Sequence, residues 1–168
     1  MRKYLPGFTL IELLIVIAIL AVLATFFIGN FGGAGAKARD AERKSDLKQY
    51  QSSLTSFAGL KKGFYPSWTT GNGVTANVTL CGSLNAVFEP DIVCTNDPKA
   101  GAPAYRYQSN GSNGGTIDAT LWFVWATLET KEGANTYYWV VCSTGNSGKI
   151  INTINLNLTG TCPSGLVQ

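Results

Sequence analysis

The chain has no histidine, a single methionine and few charges: Asp, Glu, Lys and Arg make up 14% of its 168 residues. Without imidazole there can be no Ser-His-Asp or Cys-His catalytic set, and the commonest metal ligand is missing. The net charge of +3 is too small for strong long-range attraction of a polyanion, so nucleic acid is not indicated as a partner. Four cysteines are present, Cys81, Cys94, Cys142 and Cys162, but no C-x-x-C. That spacing argues against a zinc site or a thioredoxin-like motif. No paired carboxylates, nucleophile–base set or phosphate loop is readable, and an enzyme is not expected.

What the chain does have is a concentrated apolar run. Hydrophobic residues reach 45%, and the excess sits between Phe8 and Ile28, where Glu12 is the only charge. Those 21 residues would rise roughly 31 Å as a helix, about the hydrocarbon thickness of a bilayer. A secretory signal peptide would have an apolar core of roughly 7–15 residues with a small-x-small site behind it. Here the conspicuous Gly7 stands in front instead. A plain membrane helix leaves Glu12 unexplained, since a carboxylate at depth costs about 2–3 kcal/mol and is usually functional.

Gly7 followed by FTLIELLIVIAIL resembles the cleavage and methylation signature of type IV prepilins and type II secretion pseudopilins. The resemblance implies cleavage between Gly7 and Phe8 by a prepilin peptidase and N-methylation of Phe8. Glu12 would then be the fifth residue of the mature chain. Loss of Arg2 and Lys3 with the leader would leave 11 basic against 10 acidic side chains. The new ammonium group would lie in an apolar core of packed helices, where an unpaired charge is costly. Glu12 of a neighbouring subunit could neutralise it and fix the register of assembly.

Beyond the apolar run lie Gly29, Gly32, Gly33 and Gly35, four glycines in seven residues. Each costs about 1 kcal/mol relative to Ala inside a helix, which makes this stretch a weak point. In similar pilins a Pro often stands where Gly29 stands here, and the region loses regular helix in the filament. The following segment is helical by period: Leu47, Tyr50, Leu54, Phe57 and Leu60 recur at spacings of 3, 4, 3 and 3. Its opposite face reads as charged, with Asp40 and Lys44 placed for an i,i+4 pair. Lys61, Lys62 and Gly63 should end the element.

From residue 61 the sequence reads as an extracytoplasmic head, and Gly63-Phe64-Tyr65-Pro66 resembles the G-x-Y-P of major pilins and major pseudopilins. Residues 67–104 form a long connection of low periodicity. Tyr105–Ser109 is a short strand candidate, followed by a turn-rich Asn110–Gly115. Asp118–Glu129 reads as one strand and Thr136–Ser143 as another, with a further edge strand at Ile150–Leu158. On the first, Trp122, Val124 and Ala126 share one face and Leu121, Phe123 and Trp125 the other. Both are apolar, so both should be covered: one by the Leu47/Tyr50/Leu54/Phe57 stripe, the other by a loop or a neighbouring subunit. Trp122, Trp125, Tyr138 and Trp139 could form a carbohydrate platform, but their alternation with aliphatics favours core packing.

The even cysteine count in a Gly- and Asn-rich segment reads as two disulfides in an oxidising compartment. Three pairings are open. Cys81–Cys94 would pin the long connection, and the resemblance implies Cys142–Cys162. Asp91, Asn96 and Asp97 are calcium candidates, although solvated turn residues read better there and no cofactor is expected. Asn77, Asn110 and Asn157 head N-x-S/T triplets, which indicate exposure at most.

The expected organisation is therefore a leader at 1–7, a membrane-spanning or filament-core helix at 8–28, its glycine-weakened then amphipathic continuation at 29–60, and a head at 61–168. The fold class is α+β, a long N-terminal helix packed on a small antiparallel sheet. By resemblance the chain is a structural subunit, the major pilin, of a type IV filament. It would reside first as a single-pass precursor in the cytoplasmic membrane, head outside and in contact with lipid, and then in a surface pilus or periplasmic pseudopilus. Its implied partners are copies of itself, the peptidase, a platform protein and an assembly ATPase. Two alternatives stay open: the major pseudopilin of a type II secretion or competence system, and a membrane-tethered ligand-binding protein.

Overall fold

The computed structural model describes residues 7–28, 33–88, 92, 94–152, 156 and 160–168. It divides into two units, Met1–Gly35 and Ala36–Gln168. The first contains α1 (Leu10–Ile28), whose side chains are described as far as Thr25 and are all exposed. Among the described residues no helix is long and apolar enough to cross a membrane.

The second unit is α+β. After α2 (Ala34–Leu60) come β1 (Tyr65–Ser67), β2 (Val74–Thr75), a π-helical turn (Ala76–Leu80) and the short α3 (Cys81–Asn85). Then follow β3 (Arg106–Ser109), β4 (Thr116–Ala119), β5 (Trp122–Thr127), β6 (Tyr137–Cys142) and β7 (Ser147–Ile151). The described strands form an antiparallel sheet in the order β2-β3-β5-β6-β7 and a β1-β4 pair.

Helix α2 buries Asp40, Arg43, Leu47, Tyr50, Leu54 and Phe57, an alternating 3,4 spacing that keeps one stripe on one face. The expected charged face is thus corrected in part. The upper turns of the inward stripe are themselves charged. Asp40 does not pair with Lys44, whose ammonium instead lies 4.2 Å from the centre of the Trp139 ring. The helix stops after Leu60: Lys62 and Gly63 take positive φ, and Gly63 N–H donates to Ala58 O at 2.8 Å. This is a left-handed C-terminal cap.

The apolar stripe packs against Trp122, Val124, Ala126 and Val141 on one face of the sheet. The opposite face, with Phe123, Trp125, Val140, Cys142 and Ile150, is covered by Leu156, Cys162 and Leu166 of the C-terminal segment. The C-terminal loop supplies that cover at the Phe123/Val140/Cys142 end of the face. Both disulfides, Cys81–Cys94 and Cys142–Cys162, are formed.

The strand expected at Asp118–Glu129 is two strands, β4 and β5, in different sheets. Asn110 makes the break. Its Oδ1 accepts from the N–H groups of Thr120 and Leu121 at 2.8 and 2.9 Å, and its Nδ2 donates to Thr120 Oγ1 at 2.9 Å. A side chain thereby takes the backbone donors that a continuous ladder would use. The C-terminal segment crosses this clamp at Gly160, where φ is 70° and an added Cβ would strike the Asn110 backbone. The edge strand expected at Ile150–Leu158 is instead β7, three residues earlier at Ser147 and ended by Ile151; of its later half only Asn152 and Leu156 are described. Beside it, Lys149 and Val167 exchange backbone hydrogen bonds of 2.7 and 3.0 Å. The long connection at 67–104 is less irregular than expected, since it holds β2, the π-helical turn and α3.

Candidate assembly site

Gly7 and Phe8 precede α1, and Phe8 is 82% exposed. Thr9 is the residue before the helix, and it forms with Glu12 a reciprocal cap. Thr9 N–H and Thr9 Oγ1 donate to Glu12 Oε2 at 2.9 and 2.7 Å, while Glu12 N–H donates to Thr9 Oγ1 at 3.3 Å. This is a capping box, which satisfies donors a helix start otherwise leaves open and places a carboxylate at the positive end of the dipole. Glu12 Oε1 has no partner among the described residues and is open to an external cation. The T-x-x-E spacing was legible in the sequence, and the role of Thr9 could have been read from it.

Of the glycine weak point, Gly29 and Gly32 lie outside the described residues. Gly33 sits in the turn that leads into α2, and Gly35 is helical in its first turn.

In the head the structure gathers residues that sequence reasoning did not connect. The buried Arg43 guanidinium donates from Nε and Nη2 to Asp97 at 2.7 Å each, from Nη1 to Asp40 at 2.7 Å, and from Nη2 to Glu129 at 2.7 Å. Arg39 grips Glu129 in a bidentate pair at 2.9 and 2.8 Å, and Lys99 approaches the same carboxylate at 3.4 Å. Asp40 in turn accepts from the backbone N–H groups of Glu129 and Thr130 at 2.8 Å each. Three cations thus meet three carboxylates, and the bonds of Arg43 are shared among α2, the connection at Asp97 and the end of β5.

The charge states follow from these contacts. The Arg39 and Arg43 hydrogen bonds hold the Glu129 carboxyl far below its ordinary value. Burial alone would raise Asp40, but hydrogen bonds from Thr130, Glu129 and Arg43 outweigh it, and the net shift is downward. Asp97 chiefly, with Glu129 and Asp40, holds the Arg43 proton more tightly despite burial. One turn along, burial raises the Asp46 carboxyl against the Tyr105 hydroxyl that donates to it at 2.6 Å.

The same geometry engages the calcium candidates. Both Asp97 oxygens accept from Arg43, and Oδ1 also accepts from Lys99 N–H at 2.9 Å. Asn96 Oδ1 accepts from Asn77 Nδ2, and Asp91 lies outside the described residues. Among the described residues no cluster of three or more acidic or sulfur ligands is arranged for a metal. Two triplet asparagines are occupied, Asn77 with Asn96 and Asn110 in the strand-breaking clamp; Asn157 is outside the described residues.

Comparison with known proteins bears on this N-terminal geometry. Residues 6–28 match the family model described as the prokaryotic N-terminal methylation motif. The chain is 45% identical over 51 residues to the type IV major pilin protein PilA of Myxococcus xanthus, a stretch covering 30% of this chain and 23% of that protein. It is 37% identical over 79 residues to the type II secretion system core protein G of Vibrio cholerae, covering 47% of this chain and 51% of that protein. The chain thus spans about a quarter and about half of these relatives. No solved structure is significantly similar to it. Residues 6–28 thus carry the prokaryotic N-terminal methylation motif, and the chain is similar over part of its length to a type IV major pilin and to a type II secretion core protein.

Proposed function

We propose that the chain is a structural subunit of a type IV pilus-like filament, cleaved after Gly7, methylated at Phe8 and polymerised through α1. The observation that carries this is the capped, apolar α1. Every described side chain on it is exposed, and Glu12 Oε1 is open beside the new N-terminus. Before assembly such a surface needs lipid around it; afterwards it needs copies of itself. The ammonium created at Phe8 by cleavage is the natural cation for Glu12 of a neighbour, and the Thr9 donors already orient that carboxylate.

Processing machinery, a platform protein and an assembly ATPase are implied by this function. Membrane residence of the precursor follows from it as well. The longer likeness to the type II secretion core protein G favours, as a second reading, a pseudopilin of a secretion system. Both readings are structural, and neither asks the chain for catalysis.

Two measurements test the proposal. Intact-mass and N-terminal peptide analysis of sheared filaments should find a chain starting at Phe8 and methylated there; a surface protein retaining Gly7 would overturn it. A Glu12→Val strain should lose filaments while its precursor stays in the membrane, and normal filament yield would rule out the charge pairing.

A further inference from the structure

Among the described residues, the sheet face turned away from α2 is not covered evenly. At the Phe123/Val140/Cys142 end the C-terminal segment seals it. At the other end lies an open cleft of about 520 Å³, within the range of roughly 300–1,000 Å³ usual for small-molecule sites. Its floor is set by strand register: Arg106 pairs with Trp125 across β3 and β5, and Thr127 with Tyr138 across β5 and β6. Asn72 and Asn152 flank this floor.

The four aromatics considered as a platform therefore divide. Trp122 faces α2 in the core and Trp139 lies under Lys44, whereas Trp125 and Tyr138 reach the cleft. Trp125 is held rigidly, stacked on Phe123 with ring centroids 5.1 Å apart. On its far edge sits Gly73, at φ 64°, where an added Cβ would lie 2.5 Å from the indole. The fixed ring is thus built into the wall of the cleft.

We propose that this cleft binds an acidic saccharide. Rigid aromatic groups suit the C–H face of a sugar ring, and the Asn72 and Asn152 amides with the Thr127 hydroxyl can donate to and accept from sugar hydroxyls. Among the described residues of the lining, Arg106 is the one charged side chain, and none is a carboxylate. Its Nη1 donates to Gly73 O at 3.3 Å, which anchors the guanidinium and leaves further donors for a bidentate carboxylate. An apolar ligand would strand these amides unpaired. The site does not depend on the filament reading, so failure of either leaves the other standing.

The test is calorimetric titration of the full chain in detergent micelles with trigalacturonate, with maltotriose as the neutral counterpart. Trigalacturonate should bind saturably and at least tenfold more tightly than maltotriose. Arg106→Gln and Tyr138→Ala should each weaken it tenfold or more. Arg106→Gln also disturbs the Gly73 contact, so Asn152→Asp, at an exposed position, provides a second probe. It should weaken the acidic trisaccharide severalfold more than the neutral one, because it adds a carboxylate to the lining. No saturable binding, binding indifferent to all three substitutions, or equal affinity for an acidic tripeptide would each overturn the proposal.

Discussion

Helices α1 and α2 are both long by the standard of small domains, yet they solve the problem of a helix surface in opposite ways. Every described side chain of α1 is exposed, its one carboxylate is turned back on its own cap, and no described residue of its own unit hides the rest. Helix α2 resolves its surface within the head. Its apolar stripe meets the sheet, and its buried charges meet partners from two distant segments. The difference teaches where each element's stability must come from. Disturbing α2 should unfold the head, whereas disturbing α1 should leave the head folded and spoil only what α1 is for.

The sharpest way to break this comparison is at Arg43. Replacing it with Ala leaves Asp40, Asp97 and Glu129 without their shared cation, and breaking a buried pair from one side costs roughly 3–5 kcal/mol. Urea unfolding of the full chain in detergent, followed by near-ultraviolet circular dichroism, should show that loss; Glu12→Val should leave the same transition unmoved. A Cys142→Ser/Cys162→Ser double variant comes next, losing about 3 kcal/mol in the chain-entropy model and loosening the cover over Phe123 and Val140.

Acid should act on α2's cluster with a defined sign. Asp40 and Glu129 have folded-state pKa values below their ordinary ones, so the unfolded chain takes up their protons first. Their contribution is present above the unfolded values of about 4 and is lost as pH falls below them. Asp46, raised by burial, has the opposite sign and partly offsets the fall. The urea midpoint should therefore hold steady from about pH 7 to 5 and drop below about 4, with a shallower drop in Arg43→Ala. The smallest effect belongs to α1. Thr9→Ala removes the cap and should cost about 1 kcal/mol of local helix stability, seen as faster amide exchange in the first turn of α1 with no change in the head.

The sequence exposed those features whose signal is local. The apolar run with Glu12, the 3,4 stripe from Leu47 to Phe57, and the two-sided apolar pattern from Trp122 to Ala126 each declare themselves within a few residues. Thr9 was equally local and could have been read. The Arg43 cluster was not, because its acids lie 54 and 86 residues away, and helical spacing alone makes Asp40 and Arg43 look solvated. Nor was the Asn110 clamp, since a β-pattern running through Thr120 and Leu121 gives no sign that a side chain ten residues earlier will take their N–H groups. The cleft, likewise, depends on strand register.

The long reach of Arg43 also sets an order of events. Asp97 and Glu129 must both have been synthesised before the guanidinium can find its partners, and closing such long loops is slow compared with forming a helix. While the chain is being made, α2 can be helical early but carries a buried-to-be charge with nothing to neutralise it. Water must therefore keep those turns solvated until the end of β5 arrives. The Arg43 cluster is thus a contact that closes only when Glu129 and Thr130 stand beside Asp40.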